Sequence, residues 1–117
     1  MPIEVDIWVR GRQDAITHEI VGVGEDPNQW TDVDVGRLLS EMLLALERSK
    51  NPGADAPVVT LRGFSWIVSP YESGGVIVHL EMQMGTASAG PFEIAESRLT
   101  KMIQRVMSTP SAGESVH

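Results

Sequence analysis

FSWIVSPYESGGVIVHLEMQM, residues 64–84, decides how this chain folds: two runs rich in β-branched and aromatic residues flank Pro70-Tyr71-Glu72-Ser73-Gly74. Side chains of that kind fit a pleated surface, and proline, serine and glycine between them mark a turn. The pattern predicts a strand over residues 57–69 and another over 75–84, joined as a hairpin. Pairing Ser69 with Val76 turns Leu61, Ile67, Val78, Leu80, Met82 and Met84 to one side. The other side then carries Phe64, Trp66, Val68, Ile77 and His79, with Arg62, Glu81 and Gln83 towards one end. Because side chains alternate strictly along a strand, a slip of one residue would exchange the two faces.

Working towards the N-terminus, residues 2–10 alternate with period two, with Ile3, Val5, Ile7 and Val9 against Glu4, Asp6, Trp8 and Arg10. This is the mark of a half-buried strand. Gly11-Arg12-Gln13-Asp14 forms a turn, and residues 15–23 resume the alternation, predicting a hairpin with Val9 facing Ile16, Ile7 facing His18 and Val5 facing Ile20. Residues 24–29 have loop composition. Thr31 can then cap a helix whose early Asp32 and Asp34 suit its positive end, with Trp30 stapled onto Val35. Val35, Leu38, Leu39, Met42, Leu43 and Leu46 recur at helical spacing, and Asn51-Pro52-Gly53 stops the helix.

Towards the C-terminus, residues 85–90 read as a small-residue loop. Pro91 suits the first turn of a second helix, one that carries Glu93 and Glu96 early and buries Ala95, Leu99, Met102, Ile103 and Val106. Adding 60 to residue numbers lays Leu39 on Leu99, Met42 on Met102, Leu43 on Ile103 and Leu46 on Val106. Two ordinary strand-strand-helix units of similar length account for this as well as an ancestral duplication does. The expected fold is α+β, order ββαββα, with a four-stranded antiparallel sheet, two helices on one face and a possible internal ββα repeat. Right-handed crossovers give strand order 2-1-3-4. Residues 1–107 form the single domain, and residues 108–117 read as a flexible tail.

Of 117 residues, 9 are Lys or Arg and 16 are Asp or Glu, a net charge of −7. Such an excess repels phosphate backbones and anionic lipid, so neither nucleic acid nor a membrane surface is an expected partner. With no cysteine there are no disulfides, no cysteine-ligated zinc and no cysteine nucleophile. The first residues carry acids where a leader would carry lysines, and no apolar run is long enough to span a membrane, so a soluble cytoplasmic protein is expected.

Residues that carry chemistry are sparse. His79 and Glu81 point the same way on one strand, but two ligands do not make a metal site, and an interface histidine beside a solvated glutamate explains them. His18 falls among Ile16 and Ile20 and reads as a hydrogen-bonded core histidine. Gly22-Val23-Gly24 is followed by Glu25 and Asp26, which repel phosphate, and is read as a turn. Thr86, Ser88 and Gly90 precede a helix start whose positive end Glu93 and Glu96 already occupy. The serines show no His and Asp arrangement around them, and Met82, Met84, Met102 and Met107 read as core filler. No catalytic residue, metal or cofactor is expected.

The outer face of the sheet is therefore the informative feature. Trp8, Phe64, Trp66, Val68, Ile77 and His79 are the expected partner-binding residues, because an antiparallel sheet covered on one side keeps the other polar unless something covers it. The expected function is a non-catalytic protein-interaction or regulatory module that self-associates as a homodimer through this face. Another protein is the next occupant, and a basic one would meet Glu4, Asp6, Glu19 and Glu81. The alternative is a small-molecule binding protein or enzyme with an apolar pocket near Trp66 and His79.

Overall fold

The computed structural model describes residues 3–20, 22–24, 26–50, 64–72, 74–83 and 85–108. Alternation in the N-terminal stretch yields β1, Ile3–Val9, with Val5, Ile7 and Val9 buried and Glu4, Asp6 and Trp8 on the outer face. β2, Ile16–Ile20, pairs antiparallel with it, Ile7 opposite Ile16, Val5 opposite His18 and Ile3 opposite Ile20. That register lies two residues from the expected one. A slip of two preserves the faces, so the apolar sides coincide as predicted.

The next element is α1, Asp32–Lys50, which buries Val35, Leu38, Leu39, Met42, Leu43, Ala45 and Leu46. Thr31 stands just ahead of it, its carbonyl accepting the first helical bond from the Val35 N–H at 3.1 Å. Trp30 is 2% exposed, and its indole N–H donates to the Gly24 carbonyl at 2.7 Å. The Trp30 ring stands edge-on to Phe92, with centroids 4.9 Å apart, tying the helix entry to the far end of the sheet. The helix stop at Asn51-Pro52-Gly53, the strand predicted from residue 57 as far as 63, and Leu61, Arg62 and Met84 all lie outside the described residues.

β3, Ser65–Pro70, and β4, Val76–Met82, form the second hairpin, but Pro70 rather than Ser69 lies opposite Val76. The turn sets this register. The Tyr71 N–H donates to the Gly75 carbonyl at 3.0 Å, and Gly74 and Gly75 take φ of +107° and +82°, a conformation that favours glycine. β4 keeps its expected facing, with Val78 and Leu80 buried. β3 does not: the single-residue slip reverses it, so Trp66 and Val68 pack on the core beneath the helices, Phe64 lies half-buried beside them, and Ile67 is 60% exposed. The predicted outward placement of Phe64, Trp66 and Val68 is corrected accordingly.

A fifth strand, β5, Gly85–Phe92, occupies the stretch predicted to be a loop, and α2 begins at Glu96 rather than at Pro91. The antiparallel order is β2-β1-β5-β4-β3, not 2-1-3-4, and the chain runs ββαβββα. β5 escapes a hydrophobic-pattern reading because its buried positions from 85 to 89 are Gly85, Ala87 and Ala89, and the one large buried residue, Phe92, comes only after the bulge. Small side chains are what the centre of the sheet admits: α1 packs on β1 and β5. A Cβ on Gly85 would fall 2.1 Å from the Trp8 carbonyl oxygen. Near Gly90 and Pro91, joined by a cis peptide, the β4–β5 register shifts and β5 holds one residue more than β4. Proline is admitted at such a bulge because no ladder N–H is needed there.

α2, Glu96–Ser108, buries Leu99, Met102 and Ile103, with Val106 and Met107 packed at the margin. The expected core member Ala95 is exposed and Ile94 is buried instead, as the later helix start requires. α2 packs against α1 and β3 and so completes the single helical layer. Ser108, expected to open the tail, closes this helix, while residues 109–117 lie outside the described residues.

Candidate interaction surface

With both helices on one side, the other side of the sheet is an open face that the ladder orders into rows. Trp8, Thr86, Glu81 and Ser65 lie across β1, β5, β4 and β3 in one row. The next row is Thr17, Asp6, Ser88, His79 and Ile67, from β2 to β3. Beyond it stand Glu19 and Glu4 on β2 and β1, with Ile77 and Ser69 on β4 and β3. Three of the six expected partner-binding residues, Trp8, Ile77 and His79, share this face. Trp66, Val68 and Phe64 belong to the core side, and Ile67 takes their place outside.

The face carries most of its acids on β1 and β2, with Glu81 on β4, and its exposed apolar groups are Trp8 on β1 and Ile67 on β3. Glu4, Asp6, Glu19 and Glu81 are all exposed, and Arg10 continues the β1 alternation at the Trp8 end. Trp8 is 41% exposed and Ile67 60%. Thr17 donates its hydroxyl proton to Asp6 at 2.8 Å, which orients that carboxylate. β5 contributes only Thr86, Ser88 and Gly90 here, so the middle of the face is low. Two hollows open onto it. One of about 830 Å³, at the Trp8 end, touches Trp8, Arg10, Arg12, Phe64, Glu81 and Thr86, and one of about 290 Å³ touches Ser65, Ile67, His79, Glu81, Thr86 and Ser88. His79 lines the smaller hollow, and Trp66 lines neither of the two.

His79 Nδ1 and Ser88 Oγ are 2.7 Å apart, a pairing hidden from the sequence while residues 85–90 were read as a loop. Alternation of Thr86 and Ser88 against Ala87 and Ala89 is the signal that marks them as strand neighbours. As chemistry the pair is incomplete. Asp6 flanks Ser88 on the side away from His79, so it cannot orient the imidazole as the third member of a triad does. The backbone N–H groups of a central strand are engaged in the ladder and cannot serve an oxyanion. Among the described residues, no group of three or more His, Asp or Glu side chains is placed to hold a metal.

The other singled-out groups serve the fold. His18 Nε2 lies 2.8 Å from Ser49 Oγ, which donates its one proton to the Ala45 carbonyl at 2.9 Å. The imidazole is therefore the donor, and the expected hydrogen-bonded core histidine is present. Gly24 lends its N–H to Asp34 at 3.2 Å, so Gly22-Val23-Gly24 is part of the helix entry and not a phosphate loop. Thr86, Ser88 and Gly90 lie within β5, away from the α2 N-terminus.

Asp32 and Arg105 bridge the two helices at 2.9 Å on the far side of the molecule. The Arg105 hydrogen bond holds the Asp32 carboxyl below its ordinary range, and the same bond raises the guanidinium. No helix among the described residues is long and apolar enough to cross a membrane. No protein-family model matches the chain, and no match was found among curated proteins or among solved structures. The fold and this face are thus the basis for a functional reading: an α+β protein with a one-sided helical layer over an antiparallel sheet.

Proposed function

We propose that the chain is a non-catalytic protein-interaction module that docks another protein on the open face of its sheet. The observation that carries this reading is the exposure of Trp8 and Ile67 at opposite margins of a face that neither α1 nor α2 covers. Large apolar side chains held outward on an ordered ladder offer association energy without supporting the core. Among the described residues no acid is hydrogen-bonded to the His79 imidazole and the central-strand N–H groups are engaged in the ladder, which disfavours the enzymatic alternative.

A second copy of the chain, the occupant that symmetry favours in general, suits this face less well. Facing copies would bring Glu4, Asp6, Glu19 and Glu81 of both chains together, with Arg10 and Arg12 as the described cations at the Trp8 end only, a desolvation cost that sheet-on-sheet packing does not offset.

The double substitution Trp8→Thr and Ile67→Thr tests the reading, since threonine keeps the β-propensity of both positions. Thermal and denaturant stability is expected to change by less than about 1 kcal/mol. A loss beyond about 2 kcal/mol would assign both side chains to the fold and overturn the docking role. Light scattering on the unmodified chain supplies the second arm. A concentration-independent monomer is expected, whereas a dimer dissolved by the double substitution would make the partner a second copy.

A further inference from the structure

We infer that the occupant of the open face is a basic amphipathic helix of another protein, lying along β5; this rests on the docking role proposed above. The central strand presents only Thr86, Ser88 and Gly90 outward, while Glu4, Asp6 and Trp8 rise from β1 on one side and Ile77, His79 and Glu81 from β4 on the other. β1 and β4 are two strand spacings apart, about 10 Å, so a helix about 10–12 Å across rests on both rows of side chains and sinks its contact stripe towards the low line of β5, the floor of a trough. The hollow of about 290 Å³ opens over β5 at Thr86 and Ser88, and the larger one, of about 830 Å³, lies at the Trp8 end of the same line.

Charge selects the helix. The β1 wall and its neighbour β2 carry exposed Glu4, Asp6 and Glu19 with Trp8 at one end, and the β4 and β3 side carries Ile77 and the exposed Ile67 with Glu81 at that same end. A helix with lysines or arginines along the β1 flank, apolar residues along the other and one further cation near Glu81 meets this pattern. Trp8 can receive a cationic side chain on its ring face, with Glu81 in the same cross-strand row. Arg10 and Arg12, at the Trp8 end, suit the carbonyl end of the docked helix, whose N-terminus then lies towards Glu4 and Glu19. An extended strand would fill less of the trough, and an acidic or phosphate-bearing partner would be repelled by the carboxylates.

The probe is an amidated lysine–leucine peptide of about 14 residues with leucines at helical spacing, labelled for fluorescence anisotropy. Two triple variants of the full chain remove the same charge from different places. Glu4→Gln, Glu19→Gln and Glu81→Gln neutralise the face, whereas Asp14→Asn, Glu72→Gln and Glu93→Gln neutralise exposed acids away from it. The face triple is expected to weaken binding on the order of tenfold and the control triple less than about threefold. Thr86→Trp, which fills the trough floor with a residue that strands accept, should abolish binding with circular dichroism unchanged.

Equal losses from the two triples would reduce the binding to net charge and overturn the inference. So would full affinity in Thr86→Trp, or no binding of the peptide to the unmodified chain. Those outcomes leave the docking role standing if the Trp8 and Ile67 double substitution is neutral for stability. A large stability loss in that double variant would remove the docking role itself.

Discussion

Asp34 shows how one side chain organises a helix entry. Its carboxylate accepts the Thr31 N–H at 2.9 Å, the Thr31 hydroxyl at 3.2 Å and the Gly24 N–H at 3.2 Å. The Thr31 backbone bond is the main cause holding its carboxyl below the ordinary range, with smaller help from Gly24 and the Thr31 hydroxyl against the opposing effect of burial. A depressed folded-state value means that the unfolded chain takes up the proton first. The stabilisation is complete above the ordinary carboxylate range and is lost as pH falls below about 4 and through the lowered folded value. Asp34→Ala is expected to cost about 1 kcal/mol at neutral pH, with the two stability curves converging in acid. Urea unfolding at a series of pH values measures this, and a gap that widens towards acid would contradict the assignment. The helix start at Thr31 was visible in the sequence because such signals are local. The roles differ from those expected: the Thr31 hydroxyl donates to Asp34 instead of accepting a helical N–H, and Asp32 pairs with Arg105. The back-bond from Gly24, ten residues away, was not visible.

β3 and β5 show where sequence patterns fail for elements. β3 alternates on both sides with residues that suit a core, Trp66 and Val68 against Ile67, so hydrophobicity does not choose its face. The choice falls to the turn, where Gly74 and Gly75 place Pro70 opposite Val76. Trp66→Asp is therefore expected to destabilise the fold by about 2–4 kcal/mol, since it removes a ring packed against the core and puts a charge there. Ile67→Asp, at an exposed position, should cost less than about 1 kcal/mol. Thermal melts of the two variants decide the matter; a larger loss at 67 than at 66 would restore the register pairing Ser69 with Val76. β5 was hidden for the opposite reason. Apart from Phe92 at its end, its buried residues Gly85, Ala87 and Ala89 are too small to register as hydrophobic, and α1 packs against this strand.

At the scale of the whole molecule, every strand but β3 and both helices contribute fully buried or nearly buried side chains to one apolar cluster. Trp66 and Val68 of β3 pack on its margin. A shared core should give a single cooperative unfolding transition. Far-ultraviolet circular dichroism and tryptophan emission, which the buried Trp30 dominates in its environmental change, are expected to report the same midpoint. Two separate midpoints would mean that the β1–β2–α1 and β3–β4–β5–α2 halves unfold as independent units.

The sequence by itself determined the class of fold, both hairpins, the two amphipathic helices and the inner faces of β1, β2 and β4, because those follow from short-range periodicity and capping. It also placed Trp8, Ile77 and His79 outward. Only the tertiary structure decided the facing of β3, the existence of β5 and hence the strand order, and through them which apolar groups remain uncovered. Those features depend on backbone–backbone pairing between distant segments and on the close approach of a helix, and neither leaves a periodic trace in the residues that take part.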